Sequence, residues 1–231
     1  MGLALEVGIL ADLLENDEEG AEQFRVEFDA INRHLAKVNL GAHTEPEDCE
    51  LWSCSMYGYS GLHYLRRIAA HLDCGRALPP PGGDDSADDP VLQSYYALES
   101  GNAKPSLTER LFGKKKTFNR SFDHLILHSD AEGYYLPKDF QNILYPDASL
   151  RIAGGSIASS YRLLKECERL ASVLGIPGDL DEQSEALFEA ADSQGEGDTN
   201  WQQYGVESYT CVCLMRGCQK SIETGAALVF C

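Results

Sequence analysis

The chain has 231 residues, 43% of them hydrophobic and 24% charged, which are the proportions of a soluble globular protein and exclude a disordered or fibrous one. Its 37 acidic against 19 basic side chains leave a net charge of −18. Nucleic-acid binding needs a positive footprint, so that class is excluded, and an anionic membrane surface is disfavoured for the same reason.

Residues 3–10 (LALEVGIL) are apolar enough for a buried strand or the start of a helix. Over Glu18–Lys37, Phe24, Phe28, Ile31 and Leu35 recur at four- and three-residue steps, which predicts an amphipathic helix, with Gly41 as its stop. A second helix is predicted over 60–72, with Leu62, Leu65, Ile68 and Ala69 inward and Ser60 as cap. The stretch 79–90 (PPPGGDDSADDP) can neither bury apolar area nor hold regular structure. A short helix follows over 91–98, then a loop over 101–120. That loop holds the one basic cluster, Lys114, Lys115 and Lys116 with Arg110 and Arg120, read as a solvated loop or as an intramolecular or partner contact. The expected organisation is a single domain over 1–231, with a flexible acidic and basic linker or insertion at about 79–120.

Residues 122–127 lead into a dense polar motif, and Tyr134–Leu136 reads as a short strand before Pro137. Gly154 and Gly155 precede a helix predicted over 156–174, capped by Ser156 and closed by Gly175. Further helices are predicted over 181–191 and 201–223, and a terminal strand over 226–230. Helices predominate, short strands are scattered between them and no βαβ repeat appears. The fold class is therefore α+β, with a small sheet of short strands.

Eight cysteines are present. With no basic start or apolar core at the N-terminus to mark a secretory signal, disulfides are not the default. The setting expected is intracellular and cytoplasmic. The Cys49/Cys54 and Cys211/Cys213/Cys218 spacings do not match zinc knuckles. Cys211, Leu214 and Cys218 share one helical face, so buried thiols are expected.

The motif His128-Ser129-Asp130-Ala131-Glu132-Gly133-Tyr134-Tyr135-Leu136-Pro137 packs an imidazole, a hydroxyl and two carboxylates into five residues. One reading is a ligand or metal site of His128, Asp130 and Glu132, with His124 or His63 added, since zinc or iron takes such mixtures. The other is a helix-to-strand corner whose polar groups satisfy local backbone, with Gly133 supplying a positive φ. Tyr59, Tyr134 and Arg66 are candidate cleft-lining residues. Gly155 and Ser156, at a helix start, form a candidate anion site. Loops beginning at His128 and at Asp192 (through Gln194, Glu196, Gly197 and Gln203) match the calcium-loop template only in part.

Glu6 to Leu14, His63-Tyr64-Leu65-Arg66-Arg67, His128 to Pro137 with Phe140, and Gly154-Gly155 with Ser159-Ser160-Tyr161-Arg162-Leu163 together resemble a family of intracellular proteins. Its members come from bacteria and photosynthetic eukaryotes, carry an HSD-x-[DE]-G-[YF]-Y-[LV]-P motif and have no established activity. The resemblance implies one fold running across the linker and assigns no reaction. From the residues themselves, the expected function is an acidic binding or regulatory protein without catalysis of its own. It has no cofactor and its partner is an unspecified protein; its acidic surface suits solubility, basic partners or cation capture, of which solubility needs no further assumption. The alternative is a metal-assisted hydrolase on His128, Asp130 and Glu132, holding a divalent ion.

Overall fold

The computed structural model describes residues 3–83, 86–99 and 118–231. The basic run at 114–116, Arg110 and residues 84–85 and 100–117 of the expected linker or insertion lie outside the described residues. The fold is α+β, with helices packed around a small mixed sheet.

The sheet has five strands in the order β2-β1-β5-β3-β4. β1 (Ala4–Val7) lies between β2 (Trp52–Ser55) and β5 (Leu228–Phe230), antiparallel to both. β3 (Tyr134–Leu136) runs antiparallel to β5 and parallel to β4 (Ile157–Ser159). Side-chain alternation divides the sheet between two cores. Leu5, Val7, Cys54, Tyr135, Ala158, Leu228 and Phe230 face the larger one. Tyr134, Leu136, Ile157 and Val229 face the smaller.

The smaller core is closed by α2 (Glu18–Lys37), which follows α1 (Ile9–Asn16). Asp17 separates the two helices and caps the second, its carboxylate accepting from Gly20 N–H at 3.0 Å. Phe28, Ile31 and Leu35 are buried, and the Phe28 ring meets Tyr134 edge-on at 5.3 Å. Burial of each such side chain contributes roughly 1.5–3 kcal/mol, which anchors α2 and leaves its polar face outward. The helix bounds match the sequence pattern, but the stop is Val38, followed by Asn39 at φ 59°, ahead of Gly41.

The larger core takes α3 (Gly58–Asp73), α4 (Pro90–Glu99), α5 (Asp123–Ile126), α6 (Ser160–Leu174), α7 (Glu185–Asp192), α8 (Asn200–Gln203) and α9 (Gly205–Thr224). α9 runs through its middle and packs on α3, α6, α7 and strands β1, β2 and β5. The continuous helix expected over 201–223 breaks at Tyr204 (φ −96°, ψ 46°). There α9 meets the end of α7 so closely that a Cβ on Gly205 would overlap the Ala190 carbonyl.

Three helix starts differ from expectation, one of them that of α7, expected from 181 and beginning at Glu185. Tyr57, not Ser60, is the N-cap residue of α3. The helix expected from Ser156 begins at Ser160, because residues 157–159 pair with β3 instead, and Ser159 supplies the cap, accepting from Arg162 N–H at 3.2 Å.

Residues 79–83 and 86–89 hold no regular element beyond one turn at Ser86–Asp88, yet several are tied to the helices around them. Tyr204 donates its hydroxyl to Pro79 O at 2.7 Å, Arg67 donates to the carbonyls of Pro80 and Gly82, and Gly82 N–H donates to Glu207 at 2.9 Å. Asp89 then caps α4 by accepting from Val91 and Leu92 N–H, and His71 from α3 bonds to the same carboxylate.

Candidate functional site

The polar motif follows α5, a single helical turn whose ends are held by side chains from elsewhere. At its start, Glu166 of α6 accepts from His124 N–H at 3.1 Å and Leu125 N–H at 2.7 Å. At its end, Arg66 of α3 donates Nε to Leu125 O at 2.8 Å and Nη2 to His128 O at 2.7 Å and Ser129 O at 3.1 Å. Free backbone groups at helix ends need partners when buried, and the Glu166 carboxyl and the Arg66 guanidinium supply them here.

His128 lies 3% exposed, stacked on Tyr135 with ring centroids 4.0 Å apart. Its Nδ1 bonds to Ser129 O at 3.0 Å. Burial above all drives its pKa down to about 3, outweighing the bond to the carbonyl. The ring is therefore neutral at pH 7. Gly133 (φ 106°) passes across its edge, where a Cβ would come within 2.9 Å of Cε1.

The other proposed ligands point elsewhere. His124 spends both ring nitrogens, Nε2 on Gln141 O at 3.0 Å and Nδ1 accepting from Ser159 N–H at 3.0 Å. Glu132 accepts from Gly154 N–H at 3.2 Å. His63 meets Asp130 at 3.3 Å, and its Nδ1 is buried without a hydrogen-bond partner among the described residues. Burial, then the neighbouring Arg66, lowers the His63 pKa against the pull of Asp130. Among the described residues no group of three or more His, Cys, Asp or Glu could hold a metal ion. The expected ligands are therefore not gathered into a metal centre: apart from the His63–Asp130 contact they reach separate local partners, and His128 Nε2, like His63 Nδ1, is buried with none among the described residues. The same holds for the loop from Asp192, where Asp192 accepts from Tyr57 OH at 2.6 Å, Gln194 bonds Val206 N–H and Glu207, and Gln203 bonds Gly197 O.

His63, Arg66, His128 and Asp130 do share the wall of an open cleft of about 390 Å³, together with Tyr96, Glu99 and Tyr145. Tyr59 and Tyr134 do not line it. Tyr59 is exposed, and Tyr134 is buried on the opposite sheet face, against α2. Gly155 and Ser156 precede a strand, so no helix N-terminus exists there for an anion. Ser156 is buried with its hydroxyl accepting from Ser129 N–H at 3.1 Å.

The charge is unevenly distributed, in a way that no motif of the chain shows. Residues 1–50 carry thirteen acidic and three basic side chains. Exposed carboxylates cover α1, α2 and the following loop: Asp12, Glu15, Asp17, Glu18, Glu19, Glu22, Asp29, Glu47, Asp48 and Glu50. Arg25 ties the loop to α2 through Glu47 at 2.6 Å, so the two form one surface. A second acidic stretch holds Asp179, Glu185, Glu189, Asp192, Glu196 and Asp198, all exposed, with no Lys or Arg between Arg169 and Arg216. Meanwhile Arg66 and Arg67 are buried on backbone carbonyls and lend the surface little positive charge. Counting charged residues in windows would have found both stretches.

A family model described as "Putative DNA-mimic protein" matches residues 1–230. No curated protein and no solved structure matches the chain. The family description corrects the partner expectation, because mimicry of DNA implies DNA-binding proteins as partners where the sequence left the protein unspecified and preferred solubility as the use of the charge. Among the described residues, no helix is long and apolar enough to cross a membrane.

Proposed function

Because the chain belongs to this DNA-mimic family, we propose that it binds a DNA-binding protein at the surface that protein uses for DNA, presenting carboxylates where a duplex presents phosphates. The family match over nearly the whole chain carries this reading, and the charge pattern supports it. α2 has 20 residues, hence a length of about 30 Å. A duplex of that length carries about 18 phosphates, roughly half of them facing one side. The ten exposed carboxylates on α1, α2 and the 47–50 loop are comparable in number. Rigidity favours the same use, since α2 is fixed to the sheet by Phe28, Ile31 and Leu35 and its charges need little ordering on binding. The negative field would also steer a basic partner and speed its encounter.

The test uses proteins retained by DNA–cellulose, passed over the immobilised protein at low salt. Retention followed by elution with a short duplex oligonucleotide supports mimicry, because the duplex and the protein then compete for one surface. Retention that the duplex cannot reverse, or no retention at all, would count against it. A variant carrying Glu15→Gln, Glu22→Gln, Asp29→Asn and Asp48→Asn should lose most of the captured protein while keeping its circular dichroism spectrum.

A further inference from the structure

The edge strand β2 and helix α9 place two thiols from distant parts of the chain against each other. The Sγ atoms of Cys54 and Cys213 are 2.7 Å apart, although the residues are 159 positions apart in sequence. Among the described residues both are free cysteines. A disulfide requires about 2.05 Å, so closing the pair takes a shift of roughly 0.7 Å, within side-chain motion. We propose that Cys54 and Cys213 form a reversible disulfide, taken up by exchange with a small-molecule disulfide such as oxidised glutathione.

Cys54 is the entry point. It lies 6% exposed in a four-residue strand that forms one edge of the sheet, whereas Cys213 is fully buried within α9. A short edge strand opens locally more readily than a core helix. The hydrogen bond between the two thiols holds Cys54 below its ordinary pKa against the opposing effect of burial. Cys213 is correspondingly held protonated. Tyr209 OH stands 3.9 Å from Cys54 Sγ and donates to Ser55 O at 3.0 Å, which keeps the strand beside α9.

The exchange balances in two steps. The Cys54 thiolate attacks one sulfur of oxidised glutathione, expelling a glutathione thiolate that takes up a proton. Cys213, losing its proton to solvent, then attacks Cys54 Sγ and expels the second glutathione. Two protein thiols become one disulfide, and one oxidised glutathione becomes two reduced molecules. Reduced glutathione or thioredoxin-type dithiols reverse it. The product ties the sheet edge to α9, so the oxidised protein should melt several degrees higher.

The experiment incubates the intact protein with oxidised glutathione, quenches with acid, alkylates in denaturant and maps peptides by mass. A peptide pair cross-linked through Cys54 and Cys213, cleaved by dithiothreitol, is the expected result. In Cys213→Ser the second step is blocked, and Cys54 should retain one glutathione. Glutathione found only on Cys49 or Cys231, with Cys54 and Cys213 still alkylated, overturns the proposal. So does a cross-link joining any other pair in preference to this one.

Discussion

Arg67 of α3 and Glu207 of α9 grip the same residue from opposite sides: Arg67 donates to the Gly82 carbonyl, and Gly82 N–H donates to the Glu207 carboxylate at 2.9 Å. Both side chains are buried. Removing one leaves buried polar groups without partners, which costs about 1–3 kcal/mol for each group stranded. Arg67→Met should therefore lower stability by roughly 2–4 kcal/mol, and limited proteolysis should newly cut within residues 79–89. An unchanged melting temperature with no new cleavage would show that the clamp does not hold the segment.

That clamp marks where sequence reading stops. The bounds of α2 and β3 follow from local apolar spacing, and the inward face of Cys211, Leu214 and Cys218 follows from helical periodicity. Position 157 reads as helix because its strand identity comes from pairing with Tyr134, a contact no local pattern contains. Glu166 and Glu207 look like two more surface carboxylates in an acidic chain; only the fold reveals that each holds a distant backbone N–H. The histidine motif misled in the opposite way. Its density of ligand-type residues suggested convergence, whereas His124, His128 and Glu132 each satisfy a different stretch of backbone.

Glu166 sets a pH dependence between about 4.5 and 8. Burial raises its pKa to about 8 despite two backbone N–H donors, against an ordinary value of 4.5. The folded state therefore holds a proton that the unfolded chain has already lost between these two values. Stability contributed by that proton is complete below about pH 4.5 and fades as pH rises toward 8, with a slope approaching about 1.4 kcal/mol per pH unit. Urea denaturation from pH 6.5 to 8 should show the decline. Glu166→Gln, neutral throughout, should flatten it, and a slope unchanged in that variant would remove Glu166 as the cause.

His128 acts in the other direction and in a lower window. Its folded pKa of about 3 lies below the ordinary 6.5. The unfolded chain binds the proton first, so the stabilisation is present above pH 6.5 and is lost as pH falls toward 3. The full loss is on the order of 4–5 kcal/mol, a large share of the stability of a typical protein. Between pH 4.5 and 6.5 the two residues oppose each other, and below 4.5 His128 acts without that opposition. His128→Phe, which keeps a flat ring against Tyr135, should lower the pH midpoint of acid unfolding followed by near-ultraviolet circular dichroism. A midpoint that does not move would mean that protonation elsewhere drives the acid transition.

The exposed carboxylates of α1 and α2 give salt two effects of opposite sign. At a net charge of −18, self-repulsion works against the compact state, and screening relieves it over a Debye length of about 10 Å at 0.1 M salt. The melting temperature should therefore rise from 10 to 150 mM sodium chloride. Capture of a DNA-binding partner should weaken over the same range, because screening also removes the attraction. Glu15 and Asp29 are exposed, and neither carboxylate lies in the first turn of α2, where it would favour the helix dipole. The double variant Glu15→Gln, Asp29→Asn should consequently melt higher than the native protein at 10 mM salt and bind the partner less well. Calorimetry in parallel with surface-capture binding reads both quantities. Loss of stability together with binding would indicate that these carboxylates serve the fold, whereas a gain in stability alongside weaker binding is the signature of charge retained for a partner.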